Sequence, residues 1–199
     1  MVIWLVAYWI LTAITPLDRH DWLLENMLVF ATAATLTLTY PKFRFSNRSY
    51  LLLTLFLTLH LTGAHYTYSN VPIGFTVQEW LDLSRNHFDR VVHCSFGLLL
   101  ATPLREFLVR TTCIRGFLSY YIPMDVVLAF SGLFEIIEML AAIMVSPELG
   151  DAYLGTQGDT WDAQKDMALA FIGAIIAMGI TAMYATRNPS PSKGEDSEA

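Results

Sequence analysis

The stretch Ile122-Pro-Met-Asp-Val-Val-Leu-Ala-Phe-Ser-Gly-Leu-Phe-Glu-Ile-Ile-Glu-Met-Leu-Ala-Ala-Ile-Met-Val145 decides what kind of chain this is. At about 24 residues and dominated by apolar side chains, it is long enough to cross the roughly 30 Å hydrocarbon core of a bilayer as one helix. Within it Glu135 and Glu138 stand one helical turn apart. An ionised carboxylate near a bilayer centre costs about 2.5 to 3.5 kcal/mol. Protonation, an ion partner, a metal or a water-filled cavity can offset that cost, and each marks a functional site more often than a scaffold.

The rest of the chain has the same character. With 54% hydrophobic and 15% charged residues and a mean hydropathy of +0.45, it lies outside ordinary soluble composition. Apolar runs cover Met1 to Leu17, Trp22 to Tyr40, Tyr50 to Tyr68, Phe88 to Leu108, Ile122 to Val145 and Met167 to Thr186. The expectation is an all-α, polytopic transmembrane helix bundle of about six spans over residues 1–187, with no room for a separate soluble domain. The first run is the shortest. It lacks a basic n-region and a small-x-small site before Pro16, so it reads as a span and not a cleaved signal. Residues 188–199, rich in Pro, Ser and acid, predict a disordered polar tail.

Basic loops stay on the cytoplasmic side of a membrane. Lys42, Arg44 and Arg48 follow the second run, Arg105, Arg110 and Arg115 follow the fourth, and Arg187 and Lys193 follow the sixth. Arg19, Arg85, Arg90 and Lys165 fall on the other side, which predicts that both termini are cytoplasmic. The stretch from Pro147 to Asp166 carries Glu148, Asp151, Asp159, Asp162 and Asp166 against Lys165 alone, so the outward face is acidic and supplies most of the formal charge of −6. Such a chain has no basic groove for a phosphate backbone, which excludes nucleic acid as a partner. Membrane lipids are its expected surroundings. Cys94 and Cys113 lie near opposite ends of the fourth run, too far apart to pair, and neither has metal-ligand spacing.

The polar residues within the runs converge on one level of the membrane. Asp89 and His93 are spaced i, i+4 and share a helix face. The fifth run points outward, which puts Glu135 and Glu138 about 15 and 11 Å below its outer end. Asp159, Asp162 and Asp166 align on one face if the last helix has already begun there. Plainer roles exist for several of them. Asp159 suits an N-cap with Asp162 at N3, and Asp89 suits an interfacial pair with Arg85 or a neighbouring Lys. His65 fits an interfacial aromatic belt. His60 and His65 are about 140° apart around a helix and meet one metal only if the helix breaks near Gly63.

Several strings also carry a resemblance: His60-Leu-Thr-Gly-Ala-His-Tyr-Thr-Tyr68 with Val71-Pro-Ile-Gly-Phe75, Arg85-Asn-His-Phe-Asp-Arg90 with His93, Phe134-Glu-Ile-Ile-Glu138, and Leu154-Gly-Thr-Gln-Gly-Asp-Thr-Trp-Asp-Ala-Gln-Lys-Asp166. Over nearly the whole chain they resemble the YjdF-type inner-membrane proteins of bacteria. That resemblance implies a location in the bacterial cytoplasmic (inner) membrane and a multi-pass fold, but no particular reaction. More distantly, the order of an Asp-x-x-x-His helix start, a Glu-containing helix and an Asp-rich helix start is similar to VanZ-like membrane proteins, which are associated with glycopeptide resistance. Here Glu138 stands where that pattern tends to have Gln, and the final span lacks its Asn.

Carboxylates with one or two imidazoles suit a divalent metal, and three or four such ligands with an open position are what a metal hydrolase needs. The expected ligands are Asp89, His93, Glu138, Asp162 and Asp166. Glu135 and Glu138 are the candidate bases, His93 the acid or a ligand, and His60, Arg90 and Asp159 further pocket residues. The substrate class is an outer-leaflet lipid or lipid-linked head group. HExxH, the Gly-x-Ser-x-Gly elbow, the Walker loop and the dinucleotide fingerprint are all absent from the sequence. Two rivals use the same residues: a non-catalytic binder of a lipid or small molecule, and a small proton- or cation-coupled permease.

Overall fold

Gly97 and Gly173 let two helices meet backbone to backbone. The computed structural model describes residues 1–144 and 154–187, which form seven helices among the described residues. These are α1 (Val2–Ala13), α2 (Arg19–Thr39), α3 (Asn47–Tyr66), α4 (Pro72–Trp80), α5 (Phe88–Thr111), α6 (Leu118–Ile143) and α7 (Asp162–Arg187). Where α5 crosses α7, a Cβ on Gly97 would strike the carbonyl of Ala170, and one on Gly173 would strike the carbonyl of Cys94. Ala101, Ala170, Ala174 and Ala177 continue this buried small-residue seam. Without a hydrophobic drive between helices in lipid, such close backbone contact is what holds them together.

α2, α5, α6 and α7 are long and apolar enough to cross a membrane. α6 and α7 are the clearest, with 26 residues each and the most apolar 18-residue stretches of the four. The all-helical architecture follows the sequence pattern. α1 has only 12 residues, about 18 Å of helix, and ends at Ala13 well before Leu17. α3 has 20 residues but a mixed composition, and it is not among the four. α1 lies on α3 through Trp4 Nε1 donating to Thr58 Oγ1 at 3.1 Å and a Tyr8–Thr62 hydroxyl pair at 2.8 Å.

Local chemistry sets the helix ends. Asp18 accepts from the backbone N–H groups of His20 and Asp21 to cap α2, and Ser46 caps α3 by accepting from Ser49 N. α3 runs unbroken through Gly63 and stops where Thr67 and Tyr68 take left-handed backbone, φ 55° and 49°. That turn is costly for residues with a Cβ. It folds the Tyr68 ring back over Gly63, where an added Cβ would come within 2.5 Å of the ring.

α4 is an element that the apolar runs did not announce. It starts with Pro72 in its first turn and seats Gly74 against the Asn86 side chain. At the far end of α5, Glu106 accepts from Ser46 N, Ser46 Oγ, Ser49 Oγ and Arg110 at 2.5 to 2.8 Å, clipping the start of α3 to that end. Cys94 and Cys113 are both free. Glu148, Asp151 and the tail 188–199 lie outside the described residues.

Gly173→Val should lower the stability of the purified protein by about 1 to 3 kcal/mol or more, because the added carbons meet backbone. Gly179, in the same helix, has nothing within 4 Å. Gly179→Ala should therefore be neutral or stabilising in the same denaturant titration, and equal losses in the two variants would contradict the seam.

Candidate functional site

At the head of α5 and α7 the chain builds a buried ionic buckle. Arg85, just before α5, donates to Asp162 Oδ1 at 2.5 Å and to the carbonyls of Thr156 and Gly155 at 2.9 and 3.2 Å. Arg90 bonds Asp159 and also reaches Asp162 Oδ1 at 3.1 Å, and Lys165 holds Asp159 at 2.6 Å. Asn86 and Gln157 exchange bonds: Asn86 N donates to Gln157 Oε1 at 3.1 Å, and Gln157 Nε2 to Asn86 O at 2.9 Å. The strap from Gly155 to Asp162 is thus tied to the start of α5. Its left-handed turns at Gly155 and Gly158, φ 59° and 85°, are where glycine is needed.

Asp159 sits outside α7. Its Oδ1 accepts from Trp161 N at 3.1 Å, and the helix begins at Asp162, so Asp162 is the first helical residue and not the third. Lys165, the Trp161 N–H and Arg90 hold the Asp159 carboxyl well below the usual range. Burial, followed by Arg90 and Arg85, lowers the His87 imidazole. Asp89 does not pair with Arg85, whose guanidinium is engaged by Asp162 and Asp159.

One turn deeper the cations run out. Asp89, His93 and Asp166 each offer a ligand atom, all within 4.8 Å of one another. His93 Nε2 is 3.5 Å from Asp89 Oδ1 and 3.6 Å from Glu135 Oε1. Those separations are long for hydrogen bonds. They match two ligands of one metal, since bonds of about 2.1 Å at a tetrahedral angle put ligand atoms about 3.4 Å apart. Asp166 Oδ1 and Glu135 Oε1 are buried without a hydrogen-bond partner among the described residues. Glu138 lies among Glu25, Glu135, Asp89 and Asp166.

Asp89, Glu135, Glu138 and Asp166 line a cleft of about 770 Å³ between α6 and α7. Its other wall is apolar, with Leu133, Ile136 and Met139 about half exposed. Of the residues singled out by sequence, the structure brings Asp89, His93, Glu135, Glu138 and Asp166 together. Asp162 and Asp159 line the same cleft from the buckle above them, to which Arg90 also belongs.

Behind the cleft stand His60, Tyr68 and Glu25. His60 Nε2 lies 3.0 Å from the Glu25 carbonyl, which can only accept, so Nε2 carries the proton and Nδ1 accepts from Tyr68 Oη at 2.5 Å. His65 is turned away, bonding the Thr12 carbonyl at 2.9 Å.

Glu25, Tyr68 and Arg85 are site residues that the sequence reading passed over. Glu25, buried with 3% exposure inside an apolar run, carried the same signal as Glu135 and Glu138. Tyr68 carried none, because it reaches the site only through the left-handed turn after α3.

Comparison with known proteins places the chain. It belongs to the family described as "Predicted membrane protein (DUF2238)", whose model matches residues 1–187. It is 38% identical over 179 residues to the inner membrane protein YjdF of Escherichia coli (strain K12), covering 89% of this chain and 85% of that protein. No solved structure matches it.

Arg85→Ala leaves Asp162 buried without its principal partner, a change that typically costs about 3 to 5 kcal/mol. The variant should be destabilised by that order, and its strap should become sensitive to protease between Gly155 and Trp161. An unchanged melt with a protected strap would show that the buckle is ornamental. Because the folded Asp159 pKa is depressed, its contribution is present above the ordinary aspartate range and lost as pH falls through the depressed value. Trp161 fluorescence should therefore hold from neutral pH into mild acid and change only in strong acid.

Proposed function

We propose that the protein binds one divalent cation at Asp89, His93 and Asp166, with Glu135 as a fourth ligand, and uses it to hydrolyse or transfer a lipid or lipid-linked head group. The observation that carries this is the uncompensated set of carboxylates around His93, with two buried oxygens lacking partners and ligand atoms at metal-sharing distances. A hard oxygen-rich set with one imidazole suits Mg²⁺, Mn²⁺, Ca²⁺ or Zn²⁺. Such an ion supplies charge stabilisation to a phosphoryl or carbonyl oxygen and a more acidic bound water.

Glu138, on the cleft wall beside Glu135, is the candidate to take a proton from the attacking group. The half-apolar cleft supports a lipid substrate, because a molecule diffusing in the bilayer can present its head group to the carboxylates from the side. Asp162 acts by holding the strap over the cleft.

We infer further that six helices cross the membrane, with both ends of the bundle toward the cytoplasm and the site toward the outer face. The support is the distribution of Lys and Arg. α3, about 30 Å long, can make a crossing. α1 makes a thin one against α3.

Metal analysis of the purified chain should find about one divalent cation per molecule. His93→Ala and Asp166→Asn should each weaken its binding tenfold or more, while Glu138→Gln retains it. A native chain free of divalent cation after purification and titration would retire the proposal. Proton-driven cation flux in liposomes would point to a permease. In a background lacking Cys94 and Cys113, Asn70→Cys should react with an impermeant thiol reagent in intact cells and Lys42→Cys only after permeabilisation. The reverse pattern would invert the topology.

A further inference from the structure

His93 stands between two cavities. Its Nε2 faces Asp89 and Glu135, while the residue also lines a slot of about 90 Å³ walled by Phe56, Val92, Phe96, Phe130 and Phe134. An engineered apolar cavity of about 150 Å³ takes benzene. A smaller one suits a few methylenes and not a ring. Phe130, on the membrane-span candidate α6, is 55% exposed, so the slot reaches the outer surface of that helix.

Ser131 breaks this apolar wall. It is 2% exposed, and its Oγ has no hydrogen-bond partner among the described residues. Thr54, Thr58 and Thr181 satisfy their hydroxyls on the carbonyl four residues back, as hydroxyl residues in membrane helices commonly do. Ser131 does not. Tyr68 and His60, which also line the slot, are engaged, since Tyr68 donates to His60 and His60 to the Glu25 carbonyl. A buried hydroxyl one helical turn from Glu135 is thus left for a ligand carrying an acceptor.

We propose that the slot and Ser131 bind the carbonyl-proximal segment of an acyl chain, so that the lipid presented to the carboxylate cleft is an acyl lipid. This rests on the reading of that cleft as a head-group site. In an acyl lipid the ester carbonyl sits at the junction of chain and head, where Ser131 lies between the aromatic slot and the carboxylates. The carbonyl accepts the Ser131 proton, the first methylenes fill the slot, and the rest of the chain leaves past Phe130. A polyprenyl phosphate has no neutral acceptor at that junction. Its phosphate would have to enter an apolar slot beside carboxylates, which is costly.

The test uses the full chain in detergent micelles and three probes: palmitoyl lysophosphatidylglycerol, its hexadecyl ether counterpart, and undecaprenyl phosphate. The ester should bind about three- to tenfold tighter than the ether, the worth of one hydrogen bond. Ser131→Ala, which removes a single oxygen, should abolish that ratio and leave ether binding unchanged. Equal affinities in the native chain, a ratio that survives Ser131→Ala, or tighter binding of undecaprenyl phosphate would each overturn the proposal. Repeating the titrations in EDTA separates the two readings. A failed cation site leaves the ester preference intact, whereas a failed acyl slot leaves the metal stoichiometry intact and the ester preference absent.

Discussion

The backbone contact between α5 and α7 is the constraint on which the rest of the molecule depends. Gly97 lies one helical turn beyond His93, and Ala170 lies one turn beyond Asp166. When Gly97 rests on the Ala170 carbonyl, the two helices are too close for large side chains at that level. The residues one turn above are then brought face to face. Asp89 and His93 on one helix meet Asp166 on the other for that reason, and Glu135 enters from α6. The site is a consequence of how tightly two helices pack beneath it.

That packing has an electrostatic consequence, because the positive and negative groups are sorted by depth. Arg85, Arg90 and Lys165 are all engaged by Asp159 and Asp162 at the mouth. No Lys or Arg among the described residues forms an ion pair with Asp89, Glu135, Glu138, Asp166 or Glu25. Buried ion pairs add little net stability, since desolvation takes back most of the attraction, but they specify geometry. The buckle fixes the strap over the cleft, and the carboxylates beneath it remain available. A scaffold built for stability alone would pair or replace those groups, so their presence unpaired inside the bundle is what supports the functional reading.

Much of this site was visible before any helix was placed. The i, i+4 spacing of Asp89 and His93, the Glu135–Glu138 pair and the acidic start of the last helix put these groups at one depth, and they do meet. Charged residues in apolar runs are legible because nothing in a bilayer makes them cheap. What was not legible has physical causes too. Asp162 satisfies the spacing rule and lines the cleft, but it also pairs with two guanidiniums, and spacing says nothing about which partner a carboxylate finds across 77 residues of sequence. α4 is too short to show as a span. Tyr68 depends on two left-handed residues that no pattern of apolar side chains foretells.

The sequence by itself determined that this chain is helical, lives in a membrane and carries acid where acid is expensive, because composition and periodicity report the solvent of each segment directly. Tertiary structure decided which acids share a site. It set Asp162 against Arg85 and Arg90, Asp166 against His93 and Asp89, and Ser131 against an aromatic slot. Those assignments turn on the crossing of helices at specific glycines and on the path of the strap between α6 and α7. Both are set by steric fit between residues far apart in the chain, which periodicity does not encode.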